Sequence, residues 1–177
     1  IQKIFKKHGL RVFDVEALIT HGGSLRVYGC LENASHKEKS SVSDLLVEEK
    51  NSGLQTLETY SNFQSTNDNI KMNVLDFLIN KKKEGKTVVA YGAAAKGNTL
   101  LNYCGIKSDL IRAVFDAAES KQGKFLPGSH IPILNPNEIK TYNPDYVIIL
   151  PWNIADEVVK QNKELHDNDV KFVTVVV

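Results

Sequence analysis

The apolar positions change period along the chain, and the changes mark its elements. Residues 1–8 carry Ile1, Ile4 and Phe5 at helical spacing, and Gly9 is suited to stop that helix. Residues 10–19 are rich in β-branched and apolar side chains and predict a strand. Thr20-His-Gly-Gly23 predicts a turn and 24–31 alternate as a second strand, so the two strands form a hairpin. A helix and a hairpin bury too little surface to stand alone and read as the end of a larger domain. Residues 32–43 are polar and predict a linker, with Ser43 or Asp44 placed to cap a helix through 45–50. From 54 to 84 there is no proline, and Leu57, Tyr60, Phe63, Ile70, Val74, Leu75, Phe77 and Leu78 keep rough helical spacing. One long helix or two is expected there, ending at Gly85, with Lys81-Lys-Lys-Glu84 as a solvated last turn whose cations suit the helix dipole.

From residue 86 the period alternates between strand and helix. Residues 88–91 predict a strand, 93 to about 103 a helix, and 110–115 a strand ending at Asp116. Glycine and proline punctuate a loop over 122–129, and 131–133 is at most a short strand, which Pro132 favours at a sheet edge. A one-turn helix over 135–139 has Pro136 at its first position. The unbroken apolar run 146–150 is that of a central parallel strand, followed by a helix over 154–165 and a last strand over 171–177. The alternation predicts an α/β fold, a Rossmann-like parallel sheet with flanking helices.

Length and composition narrow the classes. The 177 residues suffice for a domain with a sizeable core, and a net charge of +1 gives no bulk attraction to nucleic acid or anionic membrane. Cys30 and Cys104 lie far apart without metal-ligand spacing, which argues against a disulfide framework and a zinc site and fits a reducing cytoplasm. The longest apolar runs fall well short of a membrane span, and residues 1–9 lack the apolar stretch of a signal peptide. A cytoplasmic location is therefore expected. Opening on a helix without an initiator methionine reads as a segment of a longer protein.

Candidate chemistry centres on Thr87-Val-Val-Ala-Tyr-Gly-Ala-Ala-Ala-Lys-Gly-Asn-Thr99, a buried strand, a tight turn and a helix start. Gly92 and Gly97 occupy the first and last glycine positions of a dinucleotide fingerprint, whose middle glycine is replaced by Ala94. Gly92 suits a sharp turn, the small Ala93 and Ala94 admit a ligand to the backbone, and Gly97 permits close helix–sheet packing. Lys96 offers a cation and Asn98 and Thr99 offer hydrogen bonds to an anion at the helix start. Asp116 closes the next strand where a ribose-binding acid is expected. The same small residues also serve any tight strand-to-helix turn.

Three further candidates stand apart. His21, beside flexible glycines at the hairpin tip, and Arg26 can reach a neighbouring site, although a hairpin histidine is more often merely exposed. Pro127, Gly128 and His130 lie in a loop-forming run at the carboxyl end of the sheet, where open α/β folds bind ligands. Trp152 and Asn153 follow another strand on that edge, where an indole can stack on a base or sugar, or else pack in a core or interface. No nucleophile, Walker or metalloprotease motif occurs, and Cys104 reads as a small buried hydrophobe.

Four motifs in order and register, His21-Gly-Gly-Ser-Leu-Arg26, Tyr91-Gly-Ala-Ala-Ala-Lys-Gly-Asn-Thr-Leu-Leu-Asn102, Lys121-Gln-Gly-Lys-Phe-Leu-Pro-Gly-Ser-His-Ile-Pro-Ile133 and Asp145-Tyr-Val-Ile-Ile-Leu-Pro-Trp-Asn153, resemble the C-terminal domain of S-adenosylmethionine-dependent C-methyltransferases. That family includes enzymes that methylate nucleotide-linked deoxysugars. Asp116-Ala-Ala-Glu119 departs from the Asp-x-Asn-Pro or Ser-Pro pattern of the family.

The resemblance implies that 1–39 are the helix and hairpin ending a methyltransferase core, 40–85 a helical connector, and 86–177 the Rossmann-like domain. It implies a nucleotide-sugar substrate, an upstream methyltransferase domain as partner, and a homo-oligomer as one assembly. Residues 92–99 and 127–130 would hold nucleotide or diphosphate, and His21 would lie close to the sugar. Zinc ligands, the S-adenosylmethionine site and the catalytic segment would lie upstream, so neither cofactor binding nor methyl transfer is expected of this chain alone. The rival expectations are a stand-alone dinucleotide- or coenzyme A-binding module and a structural dimerisation domain.

Overall fold

The computed structural model describes residues 1–20, 23–167 and 169–175, which divide into two compact units, Ile1–Gln64 and Ser65–Val177. In the first, helix α1 (Gln2–Lys7) leads through Gly9, at φ +69°, into strand β1 (Leu10–Leu18). Strand β2 (Ser24–Leu31) returns antiparallel, pairing Leu18 with Ser24 and Leu10 with Leu31. The register slips between Val12 and Asp14, a bulge at Phe13, whose carbonyl accepts from the Lys39 amide at 2.9 Å.

The polar stretch after β2 is pinned by one side chain. The Arg11 guanidinium donates to the carbonyls of Glu32 at 3.2 Å, Ala34 at 2.9 Å and His36. Helix α2 (Ser40–Asn51) starts ahead of the expected cap, and the Ser43 hydroxyl instead donates to the Ser40 carbonyl at 2.8 Å. The reason is tertiary. Asp14 of β1 accepts from Lys39 at 2.5 Å and from the Ser41 hydroxyl at 2.8 Å, fixing the helix start at the strand. Those bonds, Lys39 foremost, hold the Asp14 carboxyl below its usual range. Helix α3 (Leu57–Ser61) follows. Among the described residues of this unit, only Val12 and Val42 are buried hydrophobics.

The second unit is a five-stranded sheet of β3 (Val88–Tyr91), β4 (Val114–Phe115), β5 (Ile133–Leu134), β6 (Tyr146–Ile149) and β7 (Lys171–Val173). All neighbours pair parallel, in the order β5-β4-β3-β6-β7. Successive strands step outward from β3 to the β5 edge, then resume on the other side with β6. The predicted Rossmann-like α/β sheet is therefore present, with its switch point between β3 and β6.

Strand alternation divides the core between two faces. Val88, Ala90, Val114 and Ile148 meet Val74 and Leu78 of helix α4 (Phe63–Lys83) and Leu101 and Cys104 of helix α5 (Ala95–Cys104). Val89, Phe115, Val147 and Ile149 meet Ile139 of a 3-10 helix (Pro136–Tyr142), Val158 of helix α6 (Ala155–Gln161) and Leu165 of helix α7 (Lys163–His166). The long helical stretch is thus split between α3 and α4. No helix among the described residues is long and apolar enough to cross a membrane.

Several boundaries differ from the expected ones. The strand expected over 110–115 narrows to β4, because 108–110 form a turn that feeds it. The helix expected over 154–165 breaks at Asn162, whose amide donates to the Val158 carbonyl at 2.8 Å in competition with the backbone. Strand β5 holds the predicted edge, while β6 is an interior strand and β3 the central one.

Two measurements probe this unit. Leu78 is fully buried, so Leu78→Ala should cost about 2–5 kcal/mol in a urea unfolding titration. An unchanged midpoint would exclude α4 from the folded unit. Asp145 ties the starts of β3 and β6, accepting from the Thr87 amide at 2.8 Å and from Lys86 at 2.9 Å. The Thr87 bond first, then Lys86, holds its carboxyl below the usual range. Its stabilisation is complete above the unfolded carboxylate value of about 3.9 and is lost as pH falls through the lower folded value. Asp145→Asn should therefore flatten the stability curve below about pH 4; a curve as steep as that of the parent chain would contradict this linkage.

Candidate functional site

The turn after β3 is built by close approach to the segment after β6. Gly92 has φ +86°, and its amide donates to the Phe115 carbonyl at 2.7 Å. A Cβ on Gly92 would sit 2.5 Å from Pro151 Cδ, and one on Gly97 would sit 2.5 Å from Leu150 Cβ. Both glycines are thus demanded by Leu150-Pro151. The Ala94 amide donates to the Gly92 carbonyl at 2.8 Å, and α5 begins with Ala94 as an extended N-cap that lends no side-chain bond.

Lys96, on the first turn of α5, reaches over the switch point. Its Nζ lies 4.5 Å from the centroid of the Trp152 ring and also donates to Asn153 Oδ1. Trp152 and Asn153 open a short 3-10 turn (Trp152–Ile154) directly after Pro151. A cation, an aromatic face and an amide, expected from two distant motifs, therefore meet at the switch point, where strand order opens a crevice in sheets of this kind.

Asp116 stands at the expected strand end, buried at 8% exposure, and its carboxylate is already engaged. One oxygen accepts from the Ala93 amide at 2.6 Å and Lys121 at 3.0 Å, the other from the Ala118 amide at 2.8 Å. Lys121 also donates to the Ala93 carbonyl at 3.1 Å. The acid and the lysine thereby clamp the turn from the side of β4.

The 127–130 loop lies along α5 rather than across the crevice. Asn102 holds it, donating to the carbonyls of Pro127 at 2.9 Å and Asn98 at 2.8 Å. Gly128 has φ +79° and no room for a side chain, since a Cβ there would lie 2.0 Å from Asn102 Oδ1. His130, at φ +57°, stacks on the exposed Phe125 with ring centroids 5.7 Å apart. Asn98 Oδ1 and Ser129 Oγ, on these neighbouring elements, are buried without a hydrogen-bond partner, an uncommon state for polar atoms. The Thr99 hydroxyl donates back to the Ala95 carbonyl at 3.1 Å.

Two expected residues belong to the first unit. Arg26 is exposed on β2 and pairs with Glu16 at 3.1 Å, while His21 lies outside the described residues. Geometry adds Lys121, Asn102 and Pro151 to the expected set. All three stand inside the motifs already quoted, but their roles depend on contacts that spacing does not reveal. Burial pushes the Cys104 thiol up. Among the described residues no group of three or more His, Cys, Asp or Glu side chains is placed to hold a metal ion.

The steric reading of the turn is testable. Gly92→Ala combines a positive φ with the Pro151 contact and should destabilise the chain by about 1–3 kcal/mol in thermal or urea unfolding. It should also shift the emission of the single tryptophan. Unchanged stability would mean that the turn has space beside Pro151.

Comparison with known proteins agrees with this architecture. A family model, the C-methyltransferase C-terminal domain, matches residues 19–176. C-methyltransferase NovU of Streptomyces niveus is 36% identical over 173 residues, covering 98% of this chain and 41% of the relative. The chain thus spans about two fifths of that relative's length. With the match running through hairpin, turn and crevice alike, the chain belongs to the C-methyltransferase C-terminal domain family.

Proposed function

We propose that this chain is the substrate-side portion of a C-methyltransferase and holds the nucleotide part of a nucleotide-linked keto-deoxysugar or a similar substrate. The observation that carries the reading is the convergence of Lys96, Trp152 and Asn153 at the β3–β6 switch point. A cation suits a diphosphate and an indole face suits a base, while the Asn153 amide holds the cation beside the ring.

The turn fits an adenosine-type cofactor poorly. The acid that would grip a ribose diol already accepts from Ala93, Ala118 and Lys121, and Pro151 lies against Gly92 where a pyrophosphate would approach. This weighs against the dinucleotide-module reading and against binding of S-adenosylmethionine at this turn. In the full-length enzyme, S-adenosylmethionine bound outside this chain would supply the methyl group. This chain's residues bind and orient: Lys96 faces the phosphates, Trp152 offers its ring, and Asp116 with Lys121 keeps the turn in shape.

The first unit supports an upstream partner domain. Among the described residues its sheet has two strands, and an open groove of about 620 Å³ is lined by Val12, Val15, Leu25, Val27, Val42 and Leu45. An isolated two-stranded sheet is marginal in water, so this unit suits completion by the sheet of a methyltransferase core.

Calorimetric titration of the chain with thymidine and uridine diphosphates and their sugar conjugates tests the reading. Binding with Kd of about 0.1–1 mM is expected. Absence of heat with all of them, together with no methylation of any nucleotide sugar by the full-length protein, would overturn it.

A further inference from the structure

We propose that Lys96 is a latch, that Asn153 is its resting partner, and that an incoming phosphate takes Lys96 from Asn153 and so bares the face of Trp152. This rests on the nucleotide-binding reading above and deepens it. It assigns the nucleoside diphosphate's two recognisable parts, anion and base, to one exchange at a single side chain.

The two lysines beside the turn, Lys96 and Lys121, differ in their charge partners. Lys39, Lys81, Lys82, Lys86, Lys121 and Lys140 each lie within ion-pair distance of a carboxylate. Lys121, on the neighbouring loop, is matched by Asp116. Among the described residues no carboxylate lies within that distance of Lys96, whose partners are the neutral Asn153 amide and an aromatic ring. A bond from an ammonium to an anionic oxygen is stronger than one to a neutral amide. A phosphate therefore outcompetes Asn153 for the same Nζ.

The position of the ammonium gives the exchange its second consequence. Over the Trp152 ring at 4.5 Å, it occupies a face on which a base would stack. Pro151, packed on Gly92, keeps the backbone on both sides of this crevice in place, so the movable part is the lysine side chain. Anion binding and exposure of the aromatic face are then one event.

The latch makes opposite predictions for two neighbouring residues. Removing Asn153 deletes a competitor, so Asn153→Ala should bind pyrophosphate and thymidine diphosphate about threefold more tightly. Lys96→Met should weaken both by about tenfold or more, and Lys96→Arg should retain binding. Emission of the single tryptophan should shift when pyrophosphate is added to the parent chain, and the shift should be absent in Lys96→Met. Weaker or unchanged binding by Asn153→Ala, with thymidine diphosphate still bound by the parent chain, overturns the latch and leaves the nucleotide reading standing. Binding by Lys96→Met equal to the parent also overturns it. Failure of the parent chain to bind either compound overturns the latch and counts against the nucleotide reading as well.

Discussion

The segment after β6 approaches the turn after β3 so closely that a hydrogen atom, and no side chain, fits between them. Gly92 faces Pro151 and Gly97 faces Leu150. This contact fixes how far α5 stands from the sheet, and with it the place of every side chain on the first turn of α5. Lys96 reaches Trp152 and Asn153 because its helix is seated on Leu150 rather than held away by a Cβ. Asp116 and Lys121 complete the seat from the opposite side, through the amide and carbonyl of Ala93. A turn held from two sides by packing and hydrogen bonds presents a pre-organised rim, which lowers the ordering cost of binding.

The same contact changes what the glycines mean. In a dinucleotide fold, the glycine-rich turn admits a pyrophosphate to the backbone. Here Gly92 admits a proline ring of the same chain. In the proposed nucleotide reading, recognition of an anion would then fall to the Lys96 side chain rather than to backbone amides. Ala94 at the middle fingerprint position accords with this, since close approach of a ligand to the backbone is not what the turn provides.

The parallel sheet was legible because burial imposes its period directly: Val88 to Tyr91 are buried on both faces, as an unbroken apolar run requires. The edge position of β5 was legible from Pro132, and the small-residue turn from Gly92 and Gly97. Element ends were less so, since tertiary partners set them. Asp14 draws α2 back to Ser40, and Asn162 breaks the last helical stretch through its own amide. Within the site, the residue types could be read but not their pairing. Lys96 and Asn153 are 57 positions apart, and only the order of the strands brings them together. An acid at the end of β4 was legible as well. That Lys121, five positions on, would share its charge was not, because a loop's path is not written in its period.

The distribution of the core separates two properties of the chain. Buried hydrophobics of the first unit amount to Val12 and Val42 among the described residues, whereas both faces of the sheet in Ser65–Val177 carry extended clusters. The groups that form the crevice, and the packing that places them, all belong to the second unit. Folding of the hairpin and recognition at the crevice thus depend on different contacts. The single tryptophan lies beside Lys96, so its emission reports on that site.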